Sequence, residues 1–301
     1  MTQAPMGQLI EPVARIQRSR AAARRRQPKA LAKNVFWYVL LTFLAIITVF
    51  PFFWMLMTSL KGPLDPVTSV PPQFLPNDPT LANYQKVLDA LPVPRFFLNS
   101  VIVAVSVGAL NVLIAAMAAY PLAKMRFPGR EAIFYALLAT LIVPAQLTYI
   151  PSFILAVNVF HYYDTLPALI FPNLVSAFNI FLLRQAFRSV PNDLLDAARV
   201  DGAGEWRIWW QILLPLIRPS LAAVAIFTFV TSWNDFLWPS LMLHTREGMT
   251  LPVGLAALQG FFSSDPRAIA AGVTMTIVPI LLFFIVVQRY FVRGLAGAVK
   301  G

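Results

Sequence analysis

Six long apolar runs, each separated from the next by a polar segment, dominate the pattern of the sequence. They cover approximately residues 35–59, 96–122, 132–157, 166–187, 216–241 and 268–291. A helix of about 20 mostly apolar residues is long enough to cross a lipid bilayer, so the pattern predicts an all-α polytopic membrane protein with about six transmembrane helices. Prolines interrupt several runs, which a membrane bundle tolerates because neighbouring helices satisfy the freed backbone groups. A break of the third run at Pro144 and Pro151 is the alternative for that span.

The Lys and Arg residues concentrate on alternate polar segments. If the N-terminus lies inside the cell, the four inside segments hold 8, 3, 5 and 3 of these residues, whereas the opposite loops hold 5 in all. Cytoplasmic loops of membrane proteins carry the excess of positive charge. We therefore expect a multi-pass protein whose N-terminus and C-terminus are both cytoplasmic.

The composition narrows the chemistry that the chain can perform. Of its 301 residues, 58% are hydrophobic and only 12% are charged, with a net charge of +11. About a quarter of the residues in a soluble domain are usually charged, so an ordinary soluble globule is excluded. The sequence has no Cys and only two His, which excludes a disulfide framework, a thiolate metal site and a multi-histidine metal centre. We predict neither catalytic residues nor a metal site.

The basic residues are densest in a tail formed by residues 1–34, which contains Arg24, Arg25 and Arg26. This tail shows almost no apolar periodicity, so we expect a cytoplasmic segment without regular structure that contacts anionic membrane lipid. A nucleic-acid-binding arm is not favoured, because no aromatic residue is interleaved with the arginines before Phe36. Nucleic acid is therefore not a predicted partner.

A predicted outer loop, about residues 60–95, contains eight prolines. Because proline fixes φ and lacks a backbone donor, most of this loop is expected to be extended, with a short helix near residues 81–88.

The most informative segment is the predicted cytoplasmic loop, about residues 188–219, between the fourth and fifth runs. Asn192 or Asp193 is a suitable N-cap for a short helix that ends near Val200. Gly202 and Gly204 then stop the helix, and a second helix restarts. Three tryptophans lie on that second helix: Trp206, Trp209 and Trp210. Two short helices joined by a glycine turn at the membrane surface are the expected structure.

This loop resembles the EAA loop of ABC importer permeases, which has a Glu-Ala-Ala, a spaced Gly and an Ile-x-Leu-Pro. The matching residues are Asp196-Ala197-Ala198, Gly202, Ile212 and Leu214-Pro215. The sequence departs from the pattern at Asp196, which keeps the charge of the usual Glu but is one methylene shorter. With Asp196 counted by its charge, seven positions match the pattern at fixed spacing.

Other short segments resemble the carbohydrate-uptake branch of these permeases, and within it the maltose-type subunit with six spans. They are Asn83-Tyr84, Asn99-Ser100, Phe127-Pro128-Gly129-Arg130, Trp233-Asn234-Asp235-Phe236, the residues 250–255, the residues 288–291 and the closing residues 297–301. The resemblance covers residues 35–301, which it identifies as one ABC permease transmembrane domain.

The resemblance implies a machine with several parts. A second, different permease subunit completes the pore, two cytoplasmic ATPase subunits drive it, and an extracytoplasmic binding protein delivers the sugar. The chain lacks the ATP-binding pattern Gly-x-x-x-x-Gly-Lys-Ser/Thr, so ATP and Mg²⁺ are expected on the partner ATPase, with no cofactor on this chain. The chain would thus be a translocation subunit of a bacterial inner membrane and not an enzyme.

The resemblance also implies which residues couple the loop to the ATPase. They are Asp196, Ala197, Ala198, Asp201, Gly202, Ala203, Ile212, Leu214 and Pro215.

Four polar residues within the predicted spans are candidates for a substrate path: Asn173, Asn179, Asn234 and Asp235. Amides and carboxylates suit a hydroxyl-rich ligand, and a charged Asp at mid-membrane should face a cavity or a partner. The alternative is that these side chains form hydrogen bonds between helices or subunits.

A second class of function is an ion-coupled secondary transporter that acts without an ATPase. Such proteins usually show internal repeats and paired intramembrane acids or discontinuous helices. A membrane-bound enzyme is a third class, and it would need a cluster of acid, base or nucleophilic side chains at one depth. The single intramembrane Asp and the long cytoplasmic loop fit a secondary transporter poorly. The two histidines, the absence of cysteine and the near absence of intramembrane acids argue against an enzyme.

Overall fold

The computed structural model describes residues 10–263 and 265–298, and the side chains of residues 34–263 and 265–287. Every regular element within those residues is helical, which confirms the predicted all-α class. The chain divides into two compact units, Met1–Met57 and Thr58–Gly301, which are described separately. The C-terminal sequence match at residues 299–301 lies outside the described residues.

The first unit consists of most of helix α1 (Ile10–Ser59). The helix begins at Ile10, so the expectation that the basic tail has no regular structure is wrong for residues 10–33. Ala, Arg, Lys and Gln make up most of that segment, and all four have high intrinsic helix propensity. The stretch Asn34–Ser59 is apolar enough to cross a membrane.

The helices of the second unit range in length from 3 to 33 residues. In chain order they are α2 (Ala82–Ala90), α3 (Val93–Lys124), α4 (Arg130–Ala139), α5 (Tyr149–Ile154), α6 (Pro167–Ile170), α7 (Ala177–Ser189), α8 (Asn192–Val200), α9 (Glu205–Arg207), α10 (Leu214–Leu216), α11 (Arg218–Trp233), α12 (Leu237–Met242), α13 (Leu251–Ala256), α14 (Leu258–Phe261) and α15 (Pro266–Ala298). Turns of 3-10 helix cover Thr140–Ile142, Ala145–Thr148, Phe171–Asn173 and Arg246–Gly248, and π-helical turns cover Leu155–Val159 and Ile208–Leu213.

Three single helices in the described residues are long and apolar enough to span a membrane: Asn34–Ser59, Val93–Lys124 and Pro266–Val287. Three helix pairs with a sharp bend pass the same test together, which gives as many as six spans if each pair is one span. The bent pairs are Arg130–Ile142 with Ala145–Val159 (95°), Pro167–Asn173 with Ala177–Ser189 (47°), and Glu205–Leu216 with Arg218–Trp233 (79°). The predicted number of spans agrees with this count.

Two predicted span boundaries change. The third run breaks at Pro144, as the alternative for that span allowed, because proline disfavours helical geometry at the preceding Val143. The expected second break at Pro151 is wrong, because Pro151 lies in the first turn of α5, where its missing backbone N–H is tolerated. The fifth run was expected to continue to residue 241, but α11 ends at Trp233. Asn234, Asp235 and Phe236 form a turn before α12, although the apolar composition continues across it.

Helix α3 is the central element of the second unit, because it packs against α7 and α11 along its length and against α13 near its start. Three apolar clusters surround it. The first includes Phe187, Leu195 and Ile208, and so joins α7 to the segment that follows it. The second includes Phe96 and Leu258, and the third includes Leu169, Trp238 and Met242.

The proline-rich outer segment is folded against itself, and α2 confirms the short helix predicted there. The buried Lys61 ammonium donates hydrogen bonds to the carbonyl oxygens of Pro66 and Gln73 at 2.8 and 2.7 Å. The Asn83 amide, on α2, donates to the carbonyl oxygens of Ser59 and Lys61, both at 2.9 Å. These bonds replace the ladder hydrogen bonds that proline-rich chain cannot make.

Candidate functional site: a surface loop and a polar cavity

The EAA-like loop is a compact unit of two helical pieces. Helix α8 is followed by Gly202, whose φ of 81° lies in the left-handed region, and the second piece begins at Glu205. The predicted extent of the first helix and the glycine stop are therefore confirmed. The predicted cap is wrong, because Pro191 occupies the cap position and Asn192 is already helical. The Asn192 side chain instead accepts a hydrogen bond from Lys124 Nζ at 2.7 Å.

Large apolar side chains fasten this loop to the helices beneath it. Leu195 on α8 and Ile208 and Leu213 in the π-helical turn are each at most 1% exposed. They share one cluster with Ala116 and Ala119 of α3 and Phe187 of α7. Burial of one such side chain contributes about 1.5–3 kcal/mol relative to exposure. The loop is thus held rigidly on the membrane helices.

A chain of polar contacts crosses the glycine turn. Arg199 donates to Asp196 Oδ1 at 2.9 Å and to Glu205 Oε1 at 3.0 Å, and Tyr120 on α3 donates its hydroxyl hydrogen to Glu205. Asp196 is thus paired within its own helix, yet its side chain remains 66% exposed. The shorter side chain leaves one of its oxygens free of Arg199 for a further donor.

The predicted coupling residues divide into an exposed set and an anchoring set. Asp196, Ala197, Asp201 and Gly202 are exposed, whereas Ala198 is buried. The half-buried residues are Ala203, Ile212, Leu214 and Pro215. The sequence reasoning missed the exposed apolar residues Leu194 and Val200, which are 47% and 88% exposed. Both residues lie on the polar side of a short amphipathic helix, and this position in the sequence could have identified them as exposed.

A polar cavity of about 980 Å³ lies on the second unit. Four elements contribute to its wall: α3, the bend between α4 and α5, the segment around the start of α7, and α11 with the turn after it. Its polar lining consists of Asn111, Thr140, Thr148, Asn173, Ser176, Asn179, Thr228, Thr231, Ser232 and Asp235. The bends in the third and fourth predicted spans, together with the turn after α11, thus place hydroxyl, amide and carboxylate groups around one space.

Asn179 is a buried polar residue of this wall, and it is 3% exposed. Its Nδ2 donates to Asn111 Oδ1 at 2.6 Å and to Thr228 Oγ1 at 2.9 Å, which joins α7 to α3 and α11. The Asn179 Oδ1 atom has no hydrogen-bond partner within the described part of the chain. A buried acceptor without a donor is costly, so this oxygen is a polar group that the described residues leave unsatisfied beside the cavity.

The cavity brings together three of the four predicted path residues: Asn173, Asn179 and Asp235. Asn234 does not line it, because this residue is exposed and its amide donates to the Val230 carbonyl at 2.8 Å. Asp235 lies in the turn after α11 and not within a helix. The sequence reasoning missed Asn111 and Thr228, which sit in apolar stretches without a local signal.

The sequence matches the model of a known protein family over residues 111–297. That family is described as the inner membrane component of binding-protein-dependent transport systems. The chain belongs to this family.

Among its relatives is the diacetylchitobiose uptake system permease protein NgcG of Streptomyces coelicolor. It is 39% identical over 267 residues, which cover 87% of this chain and 86% of the relative. The arabinooligosaccharides transport system permease protein AraQ of Halalkalibacterium halodurans is 37% identical over 262 residues, with 86% and 94% covered. These similarities place the chain in the carbohydrate-uptake branch that its short motifs indicate.

Two solved structures have a similar fold. One is the crystal structure of a bacterial ABC transporter involved in the import of the acidic polysaccharide alginate. It has a TM-score of 0.73 and 25% identity, with 86% of this chain and 96% of the matched chain covered. The other is the MetNI methionine ABC transporter in an inward-facing conformation, with a TM-score of 0.51 and 16% identity over 65% and 93% of the two chains. The fold is therefore that of an ABC importer permease, and none of these similarities favours a secondary transporter.

Proposed function

We propose that this chain is one of two different permease subunits that form the pore of an ATP-driven carbohydrate importer. The observation that carries the proposal is the loop from Pro191 to Pro219. Its apolar face is anchored on α3 and α7, whereas Asp196, Ala197 and Gly202 remain exposed. A rigid element with a free face suits the transmission of a movement from a separate protein. The relatives named for oligosaccharide uptake support the substrate class.

The remaining parts of the machine belong to other chains. Two ATPase subunits bind ATP and Mg²⁺, and the exposed face of the loop docks on one of them. An extracytoplasmic binding protein delivers the sugar on the opposite side of the membrane. Both termini are cytoplasmic, in agreement with the distribution of Lys and Arg. This chain therefore performs no hydrolysis itself.

The transport step is a switch between two arrangements of the paired permeases. ATP shifts the equilibrium only if it binds more tightly to the closed ATPase pair, and the loop carries that closure to the pore. Buried side chains pack the loop against α3 and α7. The loop therefore moves together with these two helices.

The polar cavity is the contribution of this chain to the sugar path. Its amides, hydroxyls and the Asp235 carboxylate match a ligand that offers many hydroxyl groups.

The test is a pull-down of the tagged chain from its native membranes in mild detergent, followed by mass spectrometry. We expect an ATPase and a second permease to be recovered. Replacement of the exposed Ala197 by Arg should abolish recovery of the ATPase but not of the second permease, because the bulky cation disrupts only the free face. Arg207→Gln, at an exposed residue that bonds only to Gln211 on its own turn, is the control.

Two results would refute the proposal. Recovery of the chain alone, in detergent that preserves uptake on reconstitution, would favour a secondary transporter. Sugar uptake by proteoliposomes that contain only this chain would also favour a secondary transporter.

A further inference from the structure

A second polar cavity, of about 510 Å³, lies where α3, α4, α7 and α8 meet. Its charged lining comes from the end of α3, the start of α4, the link between them and the end of α7. The four charged residues are Lys124, Arg126, Arg130 and Arg188, and all of them are cations. No carboxylate is among the described residues that line the cavity.

The positive charge of this cavity is poorly balanced within the described chain. Arg130 pairs with Glu131 at 2.9 Å, but Glu131 is shared with the buried Arg184 at 2.8 Å. Lys124 donates to the Val190 carbonyl and the Asn192 amide oxygen, which are neutral acceptors. Arg126 and Arg188 are exposed and form no ion pair in the part of the chain that the structure describes. Like charges in one cavity repel each other, so the site favours an anion.

The surroundings of the cavity identify the source of that anion. The cavity lies at the ends of α3, which is long and apolar enough to span a membrane, and of α7, which passes the same test as part of a bent pair. We therefore infer that the cavity lies at the level of lipid headgroups. Ile133 and Tyr135 on α4 begin one turn beyond Arg130 and are 50% and 64% exposed. A cationic cavity next to an exposed apolar helix surface matches a ligand with a phosphate at one end and acyl chains at the other.

We propose that this cavity binds the phosphate group of an anionic phospholipid, with Arg126 and Arg188 as its principal ligands. Placement in the cytoplasmic leaflet rests on the proposed orientation of the chain, whereas the binding chemistry does not. Lys124 connects the cavity to Val190 and Asn192, at the entry to the EAA-like loop. A bound phosphate therefore lies beside the joint through which the ATPase moves the pore.

The test is native mass spectrometry of the purified full-length chain with added phosphatidylglycerol or phosphatidylcholine. We expect preferential retention of phosphatidylglycerol, and the double substitution Arg126→Gln with Arg188→Gln should lower that retention roughly tenfold or more. Lys124 and Arg130 are left unchanged because they hold backbone carbonyl groups. The matched control is Arg207→Gln with Arg218→Gln, which removes the same charge outside the cavity. The control should retain the lipid.

Three outcomes would overturn the proposal. Equal loss in the control would mean a general surface attraction and no defined site. Displacement of the lipid by millimolar inorganic phosphate would indicate a site for the free anion. Unchanged lipid retention in the Arg126→Gln, Arg188→Gln double variant would mean that these two cations do not bind the lipid. Because retention is measured on the isolated chain, its failure is distinguishable from failure of the proposed import function.

Discussion

Gly202 and Gly204 are neighbours in the turn of the EAA-like loop, yet only one of them requires glycine. Gly202 has a φ of 81°, a conformation that costs a residue with a Cβ about 1–2 kcal/mol. Gly204 has a φ of −70°, and a Cβ at either position would meet no atom within 4 Å. The difference between the two positions is therefore one of backbone conformation alone.

The corresponding prediction compares Gly202→Ala with Gly204→Ala. The first should destabilise the turn by about 1–2 kcal/mol and reduce ATP-driven uptake in reconstituted vesicles, because the two helical pieces no longer keep their angle. The second should leave uptake near the wild-type level. Equal uptake by both variants would show that the turn conformation does not matter to coupling.

Asp164 lies outside the predicted spans and has a φ of 58°, a conformation that Asn tolerates better than Ala. Its Oδ1 accepts hydrogen bonds from the backbone N–H groups of His244 and Thr245 at 2.7 and 3.0 Å. Partial burial alone would raise the pKa of Asp164, but these hydrogen bonds outweigh it and lower the pKa below its usual range. The carboxylate thus stabilises the turn only while it is ionised.

We predict that Asp164→Ala destabilises the protein by about 1–2 kcal/mol at pH 7, whereas Asp164→Asn costs less. Because the folded-state pKa is lowered, the carboxylate contributes above its unfolded pKa of about 3.9, and the contribution is lost as the pH falls through the folded value. Thermal unfolding in detergent should therefore show the advantage of wild type over Asp164→Asn shrinking below about pH 4. An advantage independent of pH would contradict this account.

At the scale of elements, glycines also decide how closely helices approach. A Cβ built on Gly254 of α13 would lie 2.3 Å from the ring of Phe96, which is fully buried on α3. A Cβ on Gly108 of α3 would meet the nearest atom, the Ala225 carbonyl oxygen, at 3.8 Å. The first contact is impossible without a shift of the ring, and the second is ordinary van der Waals contact.

Gly254→Ala is accordingly expected to lower the free energy of unfolding by about 1–3 kcal/mol through overpacking. Gly108→Ala should be neutral or slightly stabilising, since alanine is the better helix former. Thermal unfolding of the two variants in the same detergent distinguishes them. A loss of stability at Gly108 equal to that at Gly254 would mean that helix packing does not explain the difference.

The elements also show what the sequence can and cannot predict. The end of helix α8 at its glycine stop was predicted because glycine acts locally, whereas the cap assigned to Asn192 or Asp193 was wrong. The end of α11 at Trp233 was missed, because the next apolar residues after the turn resemble a continuing span. The bonds of Asn179 to Asn111 and of Tyr120 to Glu205 join residues 68 and 85 positions apart. No local pattern encodes such pairs, since they exist only once the helices pack.

At the scale of the whole molecule, substitution of Asp235 tests whether the cavity belongs to the transport path. Asp235→Asn keeps a side-chain oxygen but removes the charge. Sugar uptake should fall by up to roughly tenfold, the difference between a charge-assisted and a neutral hydrogen bond, with recovery of partners unchanged. Asn234→Ala, at the adjacent residue outside the cavity, should not alter uptake.

Uptake that is unaffected by Asp235→Asn would show that this carboxylate has no role in the sugar path. Loss of the second permease from pull-downs would instead assign Asp235 to contacts between subunits.

The sharp bend in the third span has a consequence for the membrane around it. The arms Arg130–Ile142 and Ala145–Val159 turn by 95°. At 1.5 Å per residue each arm is about 20 Å long, which is less than the hydrocarbon thickness of about 30 Å. Irregular backbone is tolerated at membrane depth where it is buried in protein or lines a water-filled cavity. Val143 and Pro144 line the polar cavity of about 980 Å³, so we expect water to reach them. Because the native chain has no cysteine, a single thiol introduced at Val143 should react with water-soluble reagents that a thiol in intact hydrocarbon would never meet.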